Sequence, residues 1–166
     1  MTQKRFSGTI KVKSDFTTLN RIIAKLTEGN GMGVKVGILS KTNARTDSAG
    51  ESNASVGLQH EFGSYSKNIP QRSFIRMPLK KREKEIIKEI KEKMPQYLLS
   101  GIKPFLEKVG MMAERQIGEA FRTGGFGTWQ PLSPVTVARK GSSGILIDTG
   151  QLQRSITSQV VKGKEQ

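Results

Sequence analysis

The chain has 166 residues, a length that suits one domain with a core of its own, and it carries no cysteine and one histidine, which excludes disulfide scaffolds, thiolate metal sites, cysteine nucleophiles and His-based metal clusters. Twenty-eight Lys and Arg against 14 Asp and Glu leave a formal charge of +14, a potential that draws polyanions to whichever surface carries the excess. No apolar run approaches the roughly 20 residues of a membrane span, and the opening MTQKRFSGTI lacks the apolar stretch of a signal peptide, so a soluble, unprocessed protein of a reducing cytoplasm is expected.

Residues Arg5 to Lys13 alternate, with Phe6, Gly8, Ile10 and Val12 on one face, and predict a strand with a basic solvent side. Ser14 or Asp15 then caps a helix in which Phe16, Leu19, Ile22, Ile23 and Leu26 fall at helical spacing, stopped by Gly29. Val34, Val36 and Ile38 predict a second strand. Ser40 to Ser55 holds only small or polar side chains and adds nothing to a core, which reads as a long polar loop, either mobile or ordered against a neighbouring subunit. Ala54 to Phe62 suits a short helix ended by Gly63; on it, His60 reads as a packing or surface residue, and Glu61 as either a cap or an arginine partner.

From Leu79 to Met94, Leu79, Ile86, Ile87, Ile90 and Met94 draw a narrow apolar stripe through a charged helix, broken at Pro95. Pro104 opens a second long helix with a wider stripe of Phe105, Val109, Met112, Ile117, Ala120 and Phe121, ended by Gly124 and Gly125. Trp129 ahead of Pro131 anchors a loop by burying its ring, and Ser133 caps a short helix over Pro134 to Lys140. Gly141 to Gly144 releases the chain into the apolar run Ile145 to Ile147, after which Asp148 and Thr149 are placed to cap a helix starting near Gly150. Residues 156–161 alternate as a last strand before the polar tail KGKEQ. The fold class expected is α+β: one domain over 1–166, with a small, mostly antiparallel sheet of N-terminal, central and C-terminal strands packed on several helices, two of them long (about 76–94 and 104–122).

Catalytic chemistry finds no foothold in these residues. The glycine-rich TGGFGTW lacks the Gly-Lys-Ser/Thr of a phosphate loop and follows a helix, so it reads as a linker, and no nucleophile elbow, His-Glu-x-x-His pair or aspartate cluster occurs. No enzyme, cofactor or metal is expected. Between Glu61 and Glu83 there is no acid, while Lys67, Arg72, Arg76, Lys80, Lys81 and Arg82 are basic, so Arg72, Arg76, Lys80 and Lys81 are the candidates to face DNA or an acidic neighbour. With two Tyr and one Trp to stack on bases, any nucleic-acid contact would be to the backbone, salt-dependent and indifferent to base order.

Two blocks of sequence carry a resemblance. In TWQPLSPVTVARKGSSGILIDTGQLQRSI, the residues Trp129, Pro131, Leu132, Ser133, Thr136, Lys140, Leu146, Asp148, Thr149, Gly150, Leu152, Ser155 and Ile156 fit a Trp-x-Pro-Leu-Ser element and a Leu-x-Asp-Thr-Gly-x-Leu-x-x-Ser-Ile element. In VGLQHEFGSYSKNIPQRSFIR, the residues Glu61, Phe62, Gly63, Ile69, Pro70, Arg72, Phe74, Ile75 and Arg76 fit Glu-(Phe or Tyr)-Gly followed by Ile-Pro-x-Arg-Pro-Phe-(Leu or Ile)-Arg, with Ser73 in place of the second proline, a departure expected to loosen that turn. The pair, about a third of the chain, resembles the tail-completion or neck proteins of long-tailed bacteriophages, also grouped as phage virion morphogenesis proteins. That resemblance implies a structural protein of the virion head–tail junction, assembled in the host cytoplasm: a homo-oligomeric ring, a hexamer, around the DNA channel. Its partners would be copies of itself, connector or stopper proteins, a tail terminator or tube protein and the passing double-stranded DNA, with no membrane. A tail terminator of the same junction and a stand-alone basic nucleic-acid-binding protein are the alternatives. Glu61, Phe62, Gly63, Pro70, Phe74, Trp129, Pro131, Leu132, Asp148, Thr149, Gly150 and Leu152 are then interface residues or fold-keeping ones.

Overall fold

The alternation of Val34, Val36 and Ile38 becomes strand β1 (Met32–Ile38), and its partner is β2 (Ile156–Lys162), antiparallel from Met32 opposite Lys162 to Ile38 opposite Ile156. The computed structural model describes residues 20–21, 23–24, 27, 29–45 and 50–162. Among them the sheet has these two strands. The expected strand from Arg5 to Lys13 lies outside the described residues, as does most of the helix expected after Asp15, of which residues 20, 21, 23, 24 and 27 are helical. Six helices follow in chain order: α1 (Asn53–Phe62), α2 (Arg76–Lys81), α3 (Glu83–Ser100), α4 (Ile102–Arg122), α5 (Pro134–Lys140) and α6 (Gln151–Arg154). The α+β class is as read from the sequence.

A two-stranded ribbon is marginal by itself, so its stability comes from what it packs against. That support is α4, which buries Phe105, Met112, Ala113, Ile117, Ala120 and Phe121 along one face and has Gly110 where it crosses the ribbon. A Cβ at Gly110 would stand 2.7 Å from Ser158 Cβ and 3.3 Å from Val34 Cγ1, so the absent side chain sets how closely helix and sheet approach. The core cluster of Phe74, Ile117, Ala120, Phe121, Trp129 and Leu152 lies beside this crossing, where each large side chain removed from water contributes roughly 1.5–3 kcal/mol.

Three expectations are corrected here. The helix expected over about 76–94 is two helices with a break at Arg82, and Pro95 does not end the second, which runs on to Ser100. Lys91, whose carbonyl loses its usual helical partner to Pro95, is solvent-exposed, so water can replace the lost hydrogen bond. The apolar stripe is also narrower than its spacing suggests: Ile86 and Ile90 are half-buried, whereas Ile87 and Met94 stay exposed. Finally, the polar stretch from Ser40 to Ser55 does contribute to the interior. Ser40–Thr42 forms a turn of 3-10 helix, and Asn53 is buried, its amide donating to the carbonyls of Thr42 at 2.9 Å and Ala44 at 3.0 Å. Thr42 Oγ1 in turn donates to the carbonyl of Ser155 at 2.7 Å, which ties this stretch to the end of α6.

Candidate functional site

The first motif block folds back on itself. Helix α1 starts at Ser52, whose side chain accepts from the Ser55 N–H, and ends at Gly63, at φ 78°. Reciprocal 2.8 Å bonds between Ser64 and Ile69 close a small loop, and the returning strand of chain runs so near that a Cβ at Gly63 would lie 3.0 Å from the Gln71 nitrogen. The Arg72 N–H then donates to the His60 carbonyl at 2.7 Å, bringing residues 73–76 under the side chain of Glu61.

Glu61 is both cap and arginine partner. Its buried carboxylate accepts from the N–H groups of Phe74 at 2.8 Å, Ile75 at 3.0 Å and Arg76 at 3.2 Å, from Ser73 Oγ at 2.7 Å and from Arg76 Nε at 2.9 Å. These are the free donors at the start of α2, whose N-cap residue Ile75 offers no side-chain oxygen. Burial pushes the Glu61 carboxyl up, but the bonds from Ile75, Ser73 and Arg76 together outweigh it and hold the group below its usual range. Ser73 does not loosen the turn: its hydroxyl donates to Glu61 and accepts from the Met77 N–H at 3.0 Å.

The second block meets the first through Arg72 and Trp129. Arg72 is buried, and its guanidinium grips the Gln130 carbonyl through Nε at 3.0 Å and Nη2 at 2.9 Å, with Pro131 O at 3.4 Å. Trp129 is buried as expected, donates from Nε1 to the Ser73 carbonyl at 3.3 Å and stands edge-on to Phe121, which is edge-on to Phe74. TGGFGTW is therefore no mere linker. Gly125 is buried, its N–H donates to the Ala120 carbonyl at 2.7 Å, and Gly124, Gly125, Phe126 and Gly127 all take positive φ. Ser133 caps α5 through the Thr136 N–H, and Gly141 closes it in a left-handed conformation, as the sequence predicts. Gly150 is itself the N-cap residue of α6, at φ 76°, Asp148 ahead of it is exposed, and the Thr149 carbonyl accepts from Arg154 Nη2 at 2.8 Å. Leu152 is buried against the core cluster.

Between the two blocks lies an open groove of about 730 Å³. One wall is the loop from Ser64 to Pro70, the other Gln130 to Thr136, and His60 and Arg72 line it between them. Tyr65 on this wall is fully exposed, and on the elements that carry the blocks Leu58, Phe62 and Val135 are also exposed.

The four residues expected to face a polyanion separate. Arg72 is an internal strut and presents no charged surface of the kind envisaged. Arg76, Lys80 and Lys81 are exposed on α2, yet each already has a partner: Arg76 lies over the Phe62 ring at 4.3 Å, Lys80 pairs with Glu83 at 2.7 Å, and Lys81 sits over Phe126 at 4.9 Å. The Asn53 junction was not foreseen, because one Asn in a polar run carries no pattern that marks it as buried. No cluster of three His, Asp or Glu able to hold a metal exists among the described residues. Comparison with family models, curated proteins and solved structures finds no match to this chain.

Proposed function

We propose that the protein is a structural component of a tailed-phage virion, a tail-completion or neck subunit that forms a ring around the DNA channel where head meets tail. The two motif blocks carry the reading. Their convergence on one framework, Arg72 of the first holding Gln130 and Pro131 of the second, supports it, because a part that must fit neighbours needs fixed walls. A ring closes only through heterologous contacts, so each subunit needs two different complementary surfaces. The groove between the blocks, with Tyr65 and Val135 exposed beside it, is one such surface in this proposal. The exposed bases of α2 then serve as salt-sensitive contacts to DNA or to an acidic neighbour.

Purification of phage particles and cryo-electron microscopy of the head–tail junction test the reading. A ring of this chain at that junction is the expected result. Absence from mature particles would overturn it. Tight duplex binding by a monomer, with a steep loss of affinity as salt rises, would favour the basic nucleic-acid-binding alternative.

A further inference from the structure

The face of α4 turned away from the core carries one stripe at helical spacing, Glu107, Met111, Glu114 and Gly118. Met111 is 46 % exposed. Glu107 is exposed and Glu114 half-buried, and neither pairs with a base among the described residues, Lys103 one turn ahead of Glu107 included. All the other glutamates among the described residues are in ion pairs, so these two stand out in a chain of charge +14. The nearby bases lie on the flank toward α3, where Arg115 is held by Glu89 and Lys108 borders the same shallow hollow. Gly118 adds a third observation. A glycine inside a helix costs about 1 kcal/mol relative to alanine, and nothing lies within 4 Å of where its Cβ would stand, so, unlike Gly110, no neighbour within the subunit requires it.

A complementary face lies on α1. Leu58 and Phe62, four residues apart, are 61 % and 55 % exposed, and Tyr65 just past the helix end is fully exposed. Two guanidiniums border them. Arg76 lies over the Phe62 ring and is balanced by Glu61 through Nε, but its Nη1 and Nη2 have no acceptor among the described residues. Arg139 lines the groove together with Tyr65 and makes no ion pair among the described residues.

We infer that the stripe from Glu107 to Gly118 seats against the α1 face of a second copy of this chain. Met111 then meets Leu58, Phe62 and Tyr65, and Glu107 and Glu114 accept from Arg76 and Arg139. The contact rests on the ring reading, for which it supplies one pair of surfaces. Lengths agree: the 10 residues of α1 rise about 15 Å, and Glu107 to Gly118 about 16 Å. The missing side chain at Gly118 lets the incoming helix approach closely. Pairing of like faces would set acids against acids or arginines against arginines, so the contact is heterologous, the kind that closes a ring.

The chain has no cysteine, so introduced single cysteines report the contact. Full-length Leu58→Cys and Met111→Cys, each checked for folding by circular dichroism, are treated with a short bis-maleimide separately and as an equimolar mixture. The mixture should give a covalent dimer whose joined peptides contain positions 58 and 111, and each variant alone should give little. Adding Glu107→Lys and Glu114→Lys to the Met111→Cys chain should lower the yield about tenfold or more, and rising salt should lower it too. Three results would overturn the inference: a mixed yield no higher than that of Leu58→Cys with Ile87→Cys, an exposed position on α3, an equal yield from Met111→Cys alone, or a yield unmoved by the charge reversal in a folded chain. Sedimentation of the unmodified chain separates this failure from that of the ring. An oligomer without the 58–111 product loses this contact and keeps the ring, whereas absence of the chain from phage particles removes the ring whatever the cross-linking shows.

Discussion

Gly125 lies flat against the indole of Trp129, with no space between them for a Cβ atom. Gly125 also has φ 70°, a conformation that L side chains adopt at a cost. Both penalties apply to Gly125→Ala. The variant should lose about 2–4 kcal/mol of stability and shift the emission of the single tryptophan to the red. Urea denaturation followed by that emission checks it; stability within about 0.5 kcal/mol of wild type would show that the ring does not need this glycine.

Removing the carboxylate charge at Glu61 leaves the N–H groups at the start of α2 with a weaker acceptor. Glu61→Gln should cost about 2–4 kcal/mol at pH 7. The effect has a definite pH sign. The folded pKa lies below the ordinary 4.5, so the contribution of Glu61 is fully present above 4.5 and is lost as pH falls through the folded value. Denaturation of wild type and variant along a pH series should therefore give curves that approach each other below pH 4.5, and a constant gap would refute the assignment.

The strut between the motif blocks depends on a planar fork. Arg72→Lys keeps the charge but cannot reproduce the paired bonds to Gln130, so a loss of about 1–3 kcal/mol is expected. Because Arg72 is internal, the same substitution should leave the salt dependence of any DNA binding unchanged, whereas Lys80→Gln and Lys81→Gln together should lower it. A steep salt slope that vanishes in Arg72→Lys would place that guanidinium at the surface after all.

His60 gives the opposite titration case, a base kept neutral by burial among cations. An ordinary imidazole protonates near 6.5, whereas this one does so at about 4, so the unfolded chain binds the extra proton in between. Stability should fall as pH drops from 6.5 to 4, by on the order of 1–2 kcal/mol once solvent access to the ring is allowed for, and level off below. Arg72, Arg45 and Lys140 face the ring, and Asp148 lies beside Lys140. The wild-type minus His60→Gln difference, measured by denaturation across that range, isolates the contribution; a flat difference would rule it out.

What could be read from the sequence follows from range. The cap Ser133, the stop at Gly141, the strand alternation of 34–38 and 156–161 and the wide stripe of α4 are encoded within a turn or two of themselves, and the structure has each of them. Glu61 shows where that reach ends. Its identity suggests a cap or an ion pair, but that it serves as both depends on residues 73–76 being turned back beneath it. Arg72 was misplaced for the same reason, since an arginine in an acid-free stretch looks like surface until its carbonyl partners, 58 and 59 residues away, are known. At Pro95 the local rule was outweighed by exposure, because the carbonyl it deprives belongs to a residue that faces water.

The pairing of Met32 with Lys162 has a consequence for how the protein is made. During translation, β1 emerges more than a hundred residues before the strand that completes it, and α4, which braces both, is synthesised in between. The ribbon can therefore close only after the ribosome has released residues 156–162, so a nascent chain stalled before that point holds its apolar helix uncovered and should be a target for chaperones and proteases.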